Sequence, residues 1–417
     1  MKKNRILITC AKGITPFLRE ELLQLGFPVL SETIAGIATE GTMDDTLRLN
    51  LLLRTAHRVL FLIKEFTAHN ADALYDAVSK IAWEEYIAKD GYLCVTSSVD
   101  NQSIRDSRYA NVRCKDAIVD RIREKCGQRP DSGPDQDRVV VNLYWKDDQC
   151  AVYFDTSGEP LSRRGYRQIP LTAPMQETLA AAVIMATGWD SSSHFINPMC
   201  GSGTLAIEAA FIALNRAPGI LRNNYGFMHI KGFNESLWED LRIQAKKDTK
   251  KTFGYKIVAT DIRREAVEAA RKNAATAGVA HLIEFAVCDY SGTAVPDGKG
   301  IVILNPEYGE RMGKIRELEV VYTGIGDFFK QKCRGYNGYI FTGNLDLAKN
   351  VGLRTKRRIP FFNGGIECRL LKYELYEGSR KNKGKEVNFW EADNEKSEYL
   401  KQKSLRETKP LLKSSEN

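Results

Sequence analysis

Phe195-Ile196-Asn197-Pro198-Met199-Cys200-Gly201-Ser202-Gly203-Thr204-Leu205-Ala206-Ile207-Glu208-Ala209-Ala210 decides the fold. It reads as a strand, a glycine turn and a helix. Two glycines one residue apart let the backbone turn sharply and come close to a ligand. The helix that follows points its amide end toward that ligand. Such a turn serves NAD, FAD, SAM (S-adenosylmethionine) and plain tight turns alike. The third glycine of a dinucleotide fingerprint is absent, with Leu205 and Ala206 standing nearby, so the NAD reading ranks last.

Working outward, the strand pattern repeats. Lys256-Ile257-Val258-Ala259-Thr260-Asp261 is a strand ending in an acid. A carboxylate there can accept hydrogen bonds from both ribose hydroxyls of an adenosyl ligand. Ile283 to Val287 is a third strand and ends at Cys288-Asp289, where Asp289 is placed to accept from an adenine amino group. Gly300-Ile301-Val302-Ile303-Leu304 then delivers Asn305-Pro306-Glu307-Tyr308-Gly309-Glu310-Arg311 at its carboxyl end. Strands alternating with helices from about residue 170 predict a doubly wound α/β sheet, which binds ligands at its carboxyl edge.

Asn-Pro-x-Tyr fits methylation of an amino group. A conjugated –NH2 is a poor nucleophile, because its lone pair is delocalised into the ring. The Asn305 side-chain oxygen and the Pro306 carbonyl can each accept one N–H. Holding both hydrogens aims the lone pair at the methyl donor and offsets the charge building on nitrogen. Tyr308 is available to stack on the base.

Upstream, residues 1–155 alternate without repeat. Strands are predicted at 5–10, 34–39, 60–66, 92–99, 139–144 and 149–155, and helices at 15–25, 46–53, 71–81 and 113–125. This is an α+β pattern. The stretch from Ser157 to Arg167 is a basic connector, and a final strand pair covers 359–362 and 366–376 across the turn Asn363-Gly364-Gly365. Residues 378–417 are rich in Lys, Glu, Ser and Asn and are expected to be disordered, with Phe389, Trp390 and Tyr399 as local docking points.

Composition adds bounds. The chain has 417 residues, 61 Lys plus Arg against 53 Asp plus Glu, and a formal net charge of +8. That is a weak preference for a polyanion. Nine cysteines without C-x-x-C spacing argue against a secreted disulfide framework. With 5 scattered histidines they form no evident zinc cluster. The basic start, Met1 to Cys10, is too short in its apolar run for a signal peptide, and no stretch approaches the ~20 apolar residues of a membrane span. A cytoplasmic protein with no metal is expected.

The motifs together resemble the THUMP-domain class I methyltransferases of RNA. The matching runs are Asn197-Pro198-Met199-Cys200-Gly201-Ser202-Gly203-Thr204, Asp261-Ile262 leading to Asn273, Asn305-Pro306-x-Tyr308-Gly309-Glu310-Arg311, the connector, and Asn363 to Leu370. The best-known bacterial branch of that family methylates a guanine N2 of large-subunit ribosomal RNA, and a related branch acts on tRNA. The resemblance implies a Rossmann-like catalytic domain at 173–377, a ferredoxin-like lobe at 1–55, a THUMP RNA-binding domain at 56–157 and a connector at 158–172. It implies SAM held by Asn197, Pro198, Met199, Cys200, Gly201, Gly203, Thr204, Asp261, Ile262 and Asp289, with Asn305, Pro306 and Tyr308 as catalytic residues. Phosphates of rRNA, or of tRNA, are expected at Arg163, Arg164, Arg167 and Arg311, with Arg105, Arg108, Arg113 and Lys115 as further candidates. Two positions depart from the family pattern: Asn197 stands where Asp is usual, and Glu307 where Pro is usual. A DNA-adenine or protein-glutamine methyltransferase, or an RNA-binding relative without turnover, are the competing readings.

Overall fold

The computed structural model describes residues 2–104, 106–169, 171, 174–309 and 312–376. Arg105, Arg311 and the expected disordered tail lie outside the described residues, as do the ends of the expected connector and catalytic domain at 172, 173 and 377.

The N-terminal half holds β1 (Asn4–Thr9), α1 (Thr15–Gln24), β2 (Ser31–Thr33), β3 (Gly36–Gly41), α2 (Met43–Leu52), β4 (Arg58–Thr67), α3 (Ala71–Ser79), β5 (Tyr92–Asp100), α4 (Ser107–Cys126), β6 (Asp131–Ser132), β7 (Val139–Lys146) and β8 (Gln149–Asp155). The strands form one sheet in the order β2-β3-β1-β4-β8-β7-β5-β6. Antiparallel pairing of β1 with β4 joins what the sequence divides into two lobes. α4 starts under Asp106, whose carboxylate accepts the Arg108 amide, and ends at Gly127 with φ 71°. Its Cys114, Ala117, Ile118 and Ile122 are buried.

The second half holds α5 (Glu177–Ala186), β9 (His194–Pro198), α6 (Thr204–Ala213), α7 (Glu235–Lys247), β10 (Ile257–Asp261), α8 (Arg264–Thr276), β11 (Ile283–Val287), β12 (Gly300–Leu304), α9 (Met312–Lys332), β13 (Asn337–Thr342), α10 (Leu345–Lys349), β14 (Arg357–Asn363) and β15 (Ile366–Glu374). The sheet order is β11-β10-β9-β12-β13-β15-β14. The run from β11 to β13 is parallel, and β15 and β14 add antiparallel. Alternate residues feed two separate cores, so both faces are covered. Phe195, Ile257, Ala259, Ile301 and Ile303 pack with α6 on one side, while Ile196, Val258, Val302 and Leu304 pack with Tyr322, Ile325 and Phe329 of α9 on the other. α6 is buried almost all round, as its apolar sequence, interrupted only by Glu208 after the opening Thr204, requires.

The chain leaves β9 in one direction to build β10 and β11, then crosses back to lay β12 on the other side of β9. The carboxyl ends of β9 and β12 therefore flank the switch point, where doubly wound sheets bind ligands.

The two halves pack closely. The Phe17 and Phe361 rings stack at 5.8 Å, and Arg222 donates to the carbonyls of Ser157 and Pro160 at 2.9 Å. Among the described residues no helix is long and apolar enough to cross a membrane.

Candidate active site

The glycine turn leaves β9 through buried Pro198. Met199, Gly201 and Gly203 all have left-handed backbones, with φ of 55°, 54° and 84°. Met199 carries a side chain there, at a cost of about 1 kcal/mol that the surrounding bonds must offset. Gly203 is fixed by packing, because a Cβ would lie 2.9 Å from Cβ of Ala270 on α8. At Gly201 a Cβ would meet nothing within 4 Å, so this part of the turn faces open space. The Cys200 amide donates to the Thr260 carbonyl at 2.9 Å. Burial pushes the Cys200 thiol far up, which leaves it a packing residue and not a thiolate nucleophile. Thr204 opens α6 and is buried.

Asp261 ends β10 and is buried. Its Oδ2 accepts the Gly201 amide at 3.0 Å, and its Oδ1 accepts the Arg263 amide at 3.1 Å. The carboxylate thus ties β10 to the turn and keeps lone pairs for further donors. Ile262, directly after it, is 67 % exposed, an apolar surface at the carboxyl edge of the sheet. Asp289 is exposed and accepts from the Ser291 amide at 2.9 Å and the Ser291 hydroxyl at 2.5 Å through one oxygen.

Across the switch point, Asn197 is fully buried, and its Nδ2 donates to the Ile303 carbonyl at 2.9 Å. This is a bond between β9 and β12 that an ionised Asp could not donate. The amide at this position therefore has a structural use. Its Oδ1 is buried without a partner, and so is Oδ1 of Asn305 at the end of β12. Two orphaned acceptors at the carboxyl ends of neighbouring strands are what a site built for N–H donors presents. Pro306 is buried and Glu307 exposed. Tyr308 is held from the hairpin of β14 and β15: its hydroxyl accepts from Asn363 Nδ2 at 3.0 Å. Its ring lies against Gly343, where a Cβ would come within 3.0 Å. Burial raises the Tyr308 hydroxyl, with the Asn363 bond opposing, so it stays neutral.

The expected phosphate contacts fare differently. Arg163 is exposed and pairs with Glu159. Arg164 does not reach solvent: at 1 % exposure it faces Glu208 at 3.6 Å and donates to the carbonyls of Leu161 and Arg54. Burial pushes the Glu208 carboxyl up, against the pull of Arg164, and the Tyr166 hydroxyl donates to the same oxygen at 3.1 Å. Arg167 is also turned inward. It donates to Glu177 at 2.9 Å, Ser202 Oγ at 3.0 Å, Thr204 Oγ1 at 3.1 Å and the Met175 carbonyl at 2.9 Å. A guanidinium already surrounded by acceptors is not free for a phosphate, so these two arginines are structural. Arg108 pairs with Asp106 and Arg113 with Asp72, both beside α4, and Lys115 pairs with Asp116.

One residue at the site lies in a matching run, yet the motif reading gives it no role. Asn273 of α8 is fully buried. Its Oδ1 accepts the amides of Gln168 at 2.8 Å and Ile169 at 3.1 Å, and its Nδ2 donates to the carbonyls of Ile169 at 3.2 Å and Ser202 at 3.1 Å. The signal was present: an Asn in line with Ala266, Ala269 and Ala270 on the apolar stripe of α8. Among the described residues no cluster of His, Cys, Asp and Glu could hold a metal.

The chain is similar to known proteins along most of its length. Residues 164–372 match the family model for the RMKL-like methyltransferase domain. Residues 5–60 match the RlmL ferredoxin-like domain, and residues 68–155 match the THUMP domain. The ribosomal RNA large subunit methyltransferase K/L of Syntrophotalea carbinolica is 37% identical over 385 residues, 89% of this chain and 54% of that protein. The chain therefore spans about half the length of such relatives. A Synechocystis protein, named provisionally as an RNA methyltransferase, is 35% identical over 88% of this chain and 96% of its own length. Among solved structures, SMU.472, named provisionally as a methyltransferase and in complex with SAH (S-adenosylhomocysteine), superposes with TM-score 0.82 at 27% identity, covering 92% of this chain and 100% of that one. A "possible methylase" from Clostridium difficile gives 0.82 at 28% identity, covering 91% and 100%.

Proposed function

Since the chain belongs to the RMKL-like methyltransferase family, we propose that it is a SAM-dependent RNA methyltransferase that forms N2-methylguanosine in large-subunit (23S) ribosomal RNA. The observation that carries the reading is the Asn305 Oδ1, buried without a partner at the carboxyl end of β12. SAM supplies an electrophilic methyl group when bound. The residues present fit it: the turn from Asn197 to Thr204 with its open side at Gly201, the Asp261 carboxylate for the ribose, and exposed Ile262 and Asp289 for the adenine.

Asn305 and the Pro306 carbonyl take one amine hydrogen each, which turns the nitrogen lone pair out of conjugation and toward the methyl donor. The charge growing on nitrogen then falls between two oxygens already in place, so little reorganisation opposes it. The bond from Asn197 to the Ile303 carbonyl holds the two sides of the crevice in register, one residue before Leu304 and two before Asn305. Tyr308, tethered by Asn363, is positioned beside the loop for the base. The N-terminal half, which matches THUMP, favours RNA over DNA or protein as the carrier of the amine. Nine cysteines, all unpaired, suit the cytoplasm, where such an RNA is met.

Binding of SAH to the purified chain, followed by mass mapping of modified guanines in rRNA and tRNA from a deletion strain, tests the reading. Loss of one N2-methylguanosine from 23S rRNA, restored by the gene, is expected. An unchanged rRNA map with a lost tRNA guanine or DNA adenine methylation would move the activity to that substrate.

A further inference from the structure

We infer that Arg167 and Asn273 are positioning residues for the cofactor turn, which they bolt to the connector arriving from the N-terminal half. The inference rests on the SAM reading of that turn. Ser202, in the middle of the turn, is held twice: its hydroxyl accepts from Arg167 at 3.0 Å and its carbonyl accepts from Asn273 at 3.1 Å. The same two side chains hold the connector. Asn273 closes on Gln168 and Ile169 with its other bonds, and Arg167 reaches Met175 and Glu177.

The turn needs such a brace. Three left-handed residues within Met199 to Gly203 have many open-chain alternatives, two of them being glycines. A turn that must be ordered at the moment of binding loses affinity by that amount. Asn273 is fully buried, so it acts without touching a ligand, and all four of its hydrogen-bonding positions are used. The connector is itself anchored three residues earlier, where Arg164 links the Arg54 carbonyl of the N-terminal half to Glu208 of α6. The turn is thus set by the same segment that joins the two halves.

The test uses the full chain, with SAH as the probe. SAH affinity is measured by calorimetry, RNA affinity by titration, and amide hydrogen exchange of residues 199–204 without any ligand. N273A and R167K are the main variants. Lysine keeps the charge but cannot make the forked set of bonds. N273D keeps the acceptor half and loses the donors. N50A is the control, because Asn50 bonds Thr156 and Ser157 away from the turn. N273A and R167K are expected to bind SAH about tenfold more weakly, to exchange faster at 199–204, and to keep RNA affinity. N273D should lie between them and the wild type, and N50A should lower Tm without changing SAH affinity or exchange at the turn. Wild-type SAH affinity and exchange in N273A and R167K would overturn the inference, and so would an equal loss in N50A. Should N273A not fold, R167K and N273D carry the same comparison. A wild-type chain that does not bind SAH would sink the cofactor reading, while exchange in the ligand-free variants would still decide the brace.

Discussion

Two loops face the switch point of the catalytic sheet, and they are built in opposite ways. Past Asn197, whose Oδ1 has no partner, the turn after β9 is tied down: Cys200 to Thr260, Gly201 to Asp261, Ser202 to Arg167 and Asn273, and Thr204 to Arg167. The loop after β12 keeps its key acceptor, the Asn305 Oδ1, without a partner. Preorganisation explains both. A loop that only has to bind gains by being rigid beforehand. A group that acts on the transition state must be held in place yet left unsatisfied until charge develops.

The sharpest way to break this contrast is Asn305→Ala. If the unsatisfied acceptor works on the transition state, turnover should fall by ~10²-fold or more while SAH and RNA affinities barely change. Asn305→Asp should be milder, because a carboxylate oxygen still accepts the bond. Single-turnover methylation with saturating RNA measures this, and an Asn305→Ala chain with wild-type turnover would remove the loop from the chemistry.

Asp261→Ala probes the braced side. It removes the expected ribose acceptor and frees the Gly201 amide, so the effect should appear in binding. SAH affinity should weaken by roughly 1–3 kcal/mol, with RNA affinity kept. An unchanged calorimetric titration would show that the turn is held without Asp261.

The smallest expected effect concerns the junction of the two halves, at His57. Burial holds its imidazole below the ordinary 6.5, a hydrogen bond to the Gln176 side chain opposes this, and Arg58 and Arg164 add to the lowering. With a depressed folded pKa, stability is unaffected above 6.5. Below that, the unfolded chain takes up a proton that the folded one resists, so stability falls until folded His57 also protonates. Tm should therefore drop slightly from this group between pH 7 and 5, and His57→Gln should remove that part of the slope. A slope identical in the variant would assign it to other groups.

The amino-terminal half was harder to read than the catalytic half, for a physical reason. Its antiparallel and mixed strands show as separate short runs, and β2 and β6, at 3 and 2 residues, are too short to leave a pattern. The pairing of β4 with β8 joins residues nearly a hundred positions apart, and local sequence carries no trace of it.

Local order alone determined the catalytic core. Apolar strands ending in Gly-x-Gly, Asp261, Asp289 and Asn305 had to place those residues on one edge, because parallel strands joined by helices all end on the same side. Which way the polar side chains would turn was decided only by the tertiary structure. Arg164 and Arg167 are basic in sequence and looked like phosphate ligands, but each found buried acceptors from distant segments, Glu208 for one and Ser202, Thr204 and Glu177 for the other. Asn197 looked like a lost charge and is a bond between β9 and β12. A side chain's charge is written in the sequence, but its partner is set by which segments the fold brings within 3 or 4 Å, and burial leaves a polar group no other choice.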